Sequence, residues 1–179
     1  MKKYEFTGET KEEVCGTVLK QIKRVFDGQI GGWIEKEENL SQVGNCFVSG
    51  NAQVLGNAQV YGDAQVYGDA RVYGNALVFE DAQVYGDARV SGDAQVFGDA
   101  QVYGDARVYG NALVSKCLFV QQIKYSITVT DSHVFIGCEM HTWEVWERDI
   151  EEIGKKHNYT DKEIKQVKTL LKVLKEQVQ

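Results

Sequence analysis

Between Gly44 and Ser115 the chain repeats one six-residue unit twelve times without an insertion or deletion: Gly, then Asp or Asn, a small residue, a variable residue, Val, and a second variable residue. Glu80 is the one departure from the glycine. A six-residue period is neither the turn of an amphipathic helix nor the spacing of a hairpin meander. It fits one edge of a chain wound round a three-sided prism, with three edges to a lap.

Alternate residues of a strand face opposite ways. The small position (Cys46, then Ala52 to Ala112 at six-residue steps) and the Val two places later (Val48 to Val114) therefore share a side. These two columns are apolar throughout, so both are expected inside, Ala near the corner and Val on the flat. The Gly-Asp and Gly-Asn pairs suit corners, because Gly accepts any backbone angle and Asn or Asp tolerates the left-handed region. A second period, of eighteen, sets three units per lap. Arg71, Arg89 and Arg107 stand eighteen apart, as do Phe47, Gln65, Gln83 and Gln101, and likewise Gln59, Leu77, Gln95 and Leu113. Twelve units then make four laps. At about 4.8 Å a lap the regular part is roughly 19 Å tall. Each buried Val contributes ~1.5–3 kcal/mol before chain entropy is set against it.

Units such as VYGDAQ and VYGNAL resemble the hexapeptide repeats of the left-handed parallel β-helix superfamily over residues 44–115. That likeness implies a left-handed coil, which the period alone does not give, and a homotrimer packed about a threefold axis. The flanks GGWIEKEENLSQVGNC (31–46) and ITVTDSHVFIGCEMHTWEVWE (127–147) resemble small hexapeptide-repeat proteins of phages and prophages, a group to which no chemistry attaches. The expected fold is mainly β. It comprises an N-terminal β segment and irregular first coil (1–43), a β-helix of four regular coils with three hexapeptides each (44–115), and a β-hairpin with two α-helices (116–179).

The N-terminal part reads two ways: as strands turning at Cys15-Gly16, or as a helix from Lys11 to Phe26. Strands are preferred, because Gly16 weakens a helix and Val14, Val18 and Ile22 suit a hairpin. Trp33, Ile34 and Leu40 then form the irregular coil that covers the prism's lower end. Past Ser115, Leu118, Val120 and Ile123 leave the columns, and YSITVT and HVFIGC alternate as a hairpin about Asp131-Ser132. A first helix over Thr142–Lys156 places Trp143, Trp146, Ile150 and Ile153 on one face. A second opens at Thr160 with Glu163 three places on, a capping box. Its seam of Ile164, Val167, Leu171, Leu174 and Val178 is too short to stand alone, and must dock on the prism's end or against other copies of the chain.

The net charge is −6, of which −5 lies in the repeats, where eight acids face three arginines. Phosphate tracking needs a basic footprint, so nonspecific nucleic-acid binding is not expected. No apolar run is long enough to span a membrane, and no apolar stretch follows the basic start, so neither membrane insertion nor a secretory leader is expected. The four cysteines are unpatterned, which suits a reducing, cytoplasmic setting, that of the host cell if the gene is a phage's.

Acyltransferases of the resembled superfamily use a catalytic His near a subunit boundary and a loop extruded from a coil. The repeats here contain neither His nor loop. No catalytic residue, metal or cofactor is therefore assigned. Cys138 and His141, with His133 and Glu139 near them, make half of a zinc motif, which more often reads as a buried thiol and a helix start. Ranks of Thr that would suit ice are absent from the repeats.

Two outward faces carry information. Arg71, Arg89 and Arg107 share one face with Tyr73, Ser91 and Tyr109, a composition suited to a protein partner or a small phosphate-bearing ligand. The bland alternative pairs each Arg with a corner acid, Asp69, Asp87 or Asp105. Another face presents Tyr61, Leu77, Phe79, Phe97 and Leu113, an apolar surface that a monomer seldom leaves bare. That face, and the helical seam of Ile164, Val167, Leu171 and Leu174, are the expected self-contacts. The reading is a non-catalytic binding protein of phage type whose Tyr/Arg/Gln surface blocks a host (defence) factor by occlusion or ligand sequestration. An acyltransferase-like enzyme sited between subunits on His133 or His141 is the alternative, and a structural scaffold is a third.

Overall fold

The computed structural model describes residues 2–13, 16–120 and 125–178. The repeats wind as a three-sided β-solenoid whose sides are parallel stacks of two-residue rungs. The arginine face stacks Gln53–Val54, Arg71–Val72, Arg89–Val90 and Arg107–Val108. The glutamine face runs from Phe47–Val48 through Gln65–Val66 and Gln83–Val84 to Gln101–Val102. The leucine face runs from Gln59–Val60 through Leu77–Val78 and Gln95–Val96 to Leu113–Val114. Arg71, Arg89 and Arg107 are direct register partners, as the eighteen-residue period requires.

Every Val and Ala of the two inward columns is at most 1% exposed. Each lap is tied to the next by backbone bonds such as Gln65 N–H to the Ala82 carbonyl (2.9 Å) and Tyr67 N–H to that of Val84 (2.9 Å). The bonds point one way, so the prism has a carbonyl-rich lower end and an N–H-rich upper end. Both must be satisfied without a further lap.

At the lower end an antiparallel unit extends the arginine face: β1 (Tyr4–Glu12), β2 (Val18–Arg24) and β3 (Ile30–Ile34), the last running parallel to Gln53–Val54. The strand reading of this segment holds. Gly16 N–H donates to the Glu13 carbonyl (2.9 Å) across the turn, while Val14 and Cys15 of the expected turn lie outside the described residues. The inward residues of β2 are Leu19 and Ile22, with Val18 46% exposed, because register shifts interrupt strict alternation. The first coil is two residues longer than the rest: Trp33 pairs with Gln53 and Leu40 with Val60, twenty residues on, against eighteen from Phe47 to Gln65. Asn39, fully buried in a single 3-10 turn (Glu37–Asn39), donates from Nδ2 to the carbonyls of Gly56 (3.1 Å) and Ala58 (2.8 Å). The buried Tyr4 hydroxyl donates in turn to the carbonyls of Glu37 and Leu40.

The upper end departs from the expected hairpin. Four strands form an antiparallel meander: β4 (Cys117–Val120), β5 (Ile127–Thr130), β6 (His133–Ile136) and β7 (Glu139–Thr142). The hairpin is its centre, and Leu118 and Val120 belong to the added outer strand; Ile123 lies outside the described residues. The sheet is buried on both sides, which a lone hairpin cannot be. Cys117 and Phe135, with Phe119 and Met140, face the prism, while Ile127, Val129, Val134 and Ile136 face two helices, α1 (Trp143–Lys156) and α2 (Asp161–Val178). Phe119 and Met140 rest on the corner glycines Gly104 and Gly110, where a Cβ would stand 2.9 Å from Phe119 Cδ1 and 2.6 Å from Met140 Cε. The orphan donors of the last lap are met by side chains: Arg107 N–H by Thr128 Oγ1 (3.2 Å), Leu113 N–H by Ser132 Oγ (3.2 Å) and Ser115 N–H by the Asp131 carboxylate (3.1 Å).

The helices follow the expected pattern, with Trp143, Trp146 and Ile150 buried and Glu163 N–H donating to Thr160 Oγ1 (3.3 Å). Their seam is a correction. Ile164, Val167, Leu171 and Leu174 are 4–8% exposed within the single chain. The last three pack with Val178 against α1 and the meander, and so cannot serve as a self-contact. The meander offers a second apolar side, and burying the seam there needs no partner.

Candidate functional site

The arginine face ends beneath an overhang. Phe135 of β6 packs edge-on against Tyr109 (centroids 4.9 Å apart), and Thr128 of β5 holds Arg107 N–H, so the meander leans over the top of this face. Between them lies a cleft of about 890 Å³. Its floor is Tyr73, Arg89, Ser91, Asp105, Arg107 and Tyr109. Its roof includes Tyr125, Ser126, Thr128, Gly137 and Cys138. Gly137 turns the chain from β6 to β7 at φ 60, and an added Cβ would stand 3.2 Å from the Tyr125 ring, so the roof needs glycine there.

Four of the five residues expected to bind are thus gathered in one concavity: Arg89, Arg107, Tyr73 and Tyr109. Arg71 is not among its walls. Its guanidinium approaches Glu13 Oε2 (3.8 Å) at the end of the N-terminal hairpin, where Lys11 lies over Trp33 (4.5 Å). The pairing of arginines with corner acids is not seen. Among the described residues neither Arg89 nor Arg107 forms an ion pair, and Arg71 pairs with Glu13 in place of Asp69. Arg89 and Arg107 are direct partners in register on adjacent laps, so their backbones stand about 4.8 Å apart and two like charges leave the same face side by side. Asp105 in the same cleft offsets part of that charge. Tyr109 adds an unmet group: its hydroxyl is shielded from water and has no hydrogen-bond partner among the described residues. Burial raises its pKa.

Sequence reasoning missed the roof. Tyr125, Ser126 and Cys138 carry no repeat signal, and only the packing of the meander on the last lap brings them over Arg107. The Cys-x-x-His pair does not converge. Cys138 is exposed, whereas His141 turns to Glu139 and sits edge-on to Trp146 (5.5 Å). Glu139 bridges β7 to the end of α1, bonded to His157 Nε2 (2.7 Å), Lys156 Nζ (3.0 Å) and His141 Nε2 (2.9 Å). Hydrogen bonds from His157, then Lys156, hold its carboxyl down at about 2. His133 lies elsewhere, against Ser132 Oγ (3.0 Å). No group of three His, Cys, Asp or Glu suited to a metal occurs among the described residues.

The leucine face carries a stacked ladder, Tyr61 on Phe79 (5.0 Å, 3°) and Phe79 on Phe97 (5.5 Å, 15°). These rings are half-buried by one another, and Leu113 above them is 49% exposed. The two helices do not reach over to cover it; they sit on the meander. The glutamine face carries a second ladder, Tyr67–Tyr85–Tyr103, at 4.9 and 5.7 Å. No helix among the described residues is long and apolar enough to cross a membrane.

Compared with known families, residues 64–80, 82–99 and 100–116 match the model of the YdcK beta solenoid repeat. The three matches begin eighteen residues apart, one per lap, and the break after Glu80 falls at the corner that lacks glycine. No curated protein matches the chain.

Proposed function

We propose that this chain is a non-catalytic binding protein that captures an anionic partner in the cleft between its arginine face and the meander. The observation that carries the reading is the convergence of Arg89, Arg107, Tyr73 and Tyr109 on one concavity, the two arginines without an ion pair among the described residues. Arg71, outside the cleft, differs in having an acid, Glu13, within 3.8 Å of its guanidinium. The sequence likenesses add finer strokes: left-handed winding, a homotrimer, and a phage or prophage setting in which the partner, a protein or a phosphate-bearing molecule, belongs to the cytoplasm of the host. Occluding that partner, or withholding it from a defence pathway, needs a rigid surface and no chemistry.

The test is affinity capture from the cell that makes the protein, with mass spectrometry of captured proteins and small molecules, for the wild type and for Arg89→Glu/Arg107→Glu. Material held by the wild type and lost by the double variant is the expected result, with unchanged circular dichroism. Capture indifferent to the double variant overturns the cleft.

A further inference from the structure

On two faces of the prism the residue after each Val is aromatic over three consecutive laps, and the rings stack at 4.9–5.7 Å. On the third face the same column reads Tyr73, Ser91, Tyr109. The middle ring is missing. Two laps separate the outer rings, about 9.6 Å, which leaves one rung open to a flat guest. The open rung lies on the floor of the cleft, beside Arg89 and Arg107. Tyr73 below it is 38% exposed, against half-buried rings in the complete ladders, and Tyr109 holds the same column position one lap above.

Resting on the binding role proposed above, we infer that the ligand is a nucleotide, its base seated at the vacant rung over Ser91 and its phosphates on Arg89 and Arg107. Each part of the cleft matches one part of such a molecule. A base is a flat π-system of the thickness that a ladder rung accepts, and stacking on tyrosine tolerates any base. Two guanidiniums in register offer forked donors to adjacent phosphate oxygens, and an anion there removes their mutual repulsion. Asp105 accepts hydrogen bonds, which suits sugar hydroxyls and would disfavour a ligand of phosphate alone. A cavity of about 890 Å³ lies in the range of small-molecule sites. A polynucleotide track is disfavoured, because the corner column Asp69, Asp87 and Asp105 runs beside the arginines along the prism.

Binding of the four common ribonucleoside 5′-diphosphates is measured by calorimetry beside pyrophosphate, on the full chain at moderate salt. At least one nucleotide is expected to bind about tenfold more tightly than pyrophosphate. Ser91→Tyr completes the ladder with the residue found at equivalent rungs, and should reduce nucleotide affinity to the pyrophosphate level while leaving pyrophosphate unaffected. Arg107→Gln should weaken both probes about tenfold, and Arg71→Gln neither. Bound nucleotide should also slow alkylation of Cys138 in the roof, read at that residue by mass spectrometry, a check independent of any variant. Nucleotides no tighter than pyrophosphate, or indifferent to Ser91→Tyr in a variant with unchanged thermal unfolding, overturn the inference. If neither probe binds while captured material still depends on Arg89 and Arg107, the nucleotide falls and the binding cleft stands. If that dependence fails as well, both fall.

Discussion

Glu80 shows how narrow the tolerance of a corner is. It adopts φ 58, the left-handed region that the repeat elsewhere reserves for glycine, and its Oε2 accepts the Gly98 N–H one lap above (2.7 Å). The side chain thus offsets its own backbone strain. Glu80→Ala keeps the strain and loses the acceptor, and should cost ~1–2 kcal/mol in urea unfolding, whereas Glu80→Gly should lie within about 0.5 kcal/mol of wild type. Glu139 makes a pH prediction with a definite sign. Its folded value, about 2, lies below the ordinary 4.5, so its contribution is complete above 4.5 and fades as pH falls toward 2. Glu139→Gln should lower the melting temperature at pH 7 by a few degrees and flatten its fall across that acid window, followed by thermal unfolding between pH 2 and 7. An acid limb identical in the variant would show that the bridge to His157 and Lys156 contributes nothing.

Among the elements, those set by the repeat were legible and those set by the ends were not. Val and Ala alternate with outward residues so strictly that each rung's inward side can be written from the sequence. β4 and β7 carry no comparable pattern: EMHT is half-buried throughout, and Leu118 and Val120 stand out only because they leave the columns. Their pairing with the central hairpin is decided by the two surfaces waiting on either side of the sheet, the last lap and the helices. The same is true of α2, whose apolar seam announced a contact but not with what. A specific consequence concerns the upper cap. Asp131→Ala leaves the Ser115 N–H without its carboxylate, and should cost ~1–2 kcal/mol. Faster amide exchange confined to the last lap, with the lower laps unchanged, is the expected signature.

For the whole molecule, the solenoid is rigid because every lap repeats the same bonds, and its surface is a set of columns read out at lap spacing. Two columns are self-complementary ladders, and the third is interrupted at the cleft. The leucine face remains the surface proposed for self-association, since Leu113 and the Tyr61–Phe79–Phe97 ladder stay at the surface of the single chain. Phe79→Asp with Phe97→Asp should convert a trimer of the 20.1 kDa chain to monomer in light scattering while preserving circular dichroism. A wild type that is already monomeric removes this interface.

From the sequence alone came the lap of three hexapeptides, the inward columns, the outward arginine and aromatic columns, and the capping box of the last helix. All of these are periodic or local, so spacing along the chain is enough to place them. Only the tertiary structure decided how the ends close. Asn39 stands in for missing N–H donors below, and Thr128, Ser132 and Asp131 supply missing acceptors above, through bonds between residues remote from the laps they serve or outside the repeat. The cleft belongs to that second class. Its floor is written in the repeat, but it becomes a cavity because the last lap's unmet N–H groups draw the meander over Arg107.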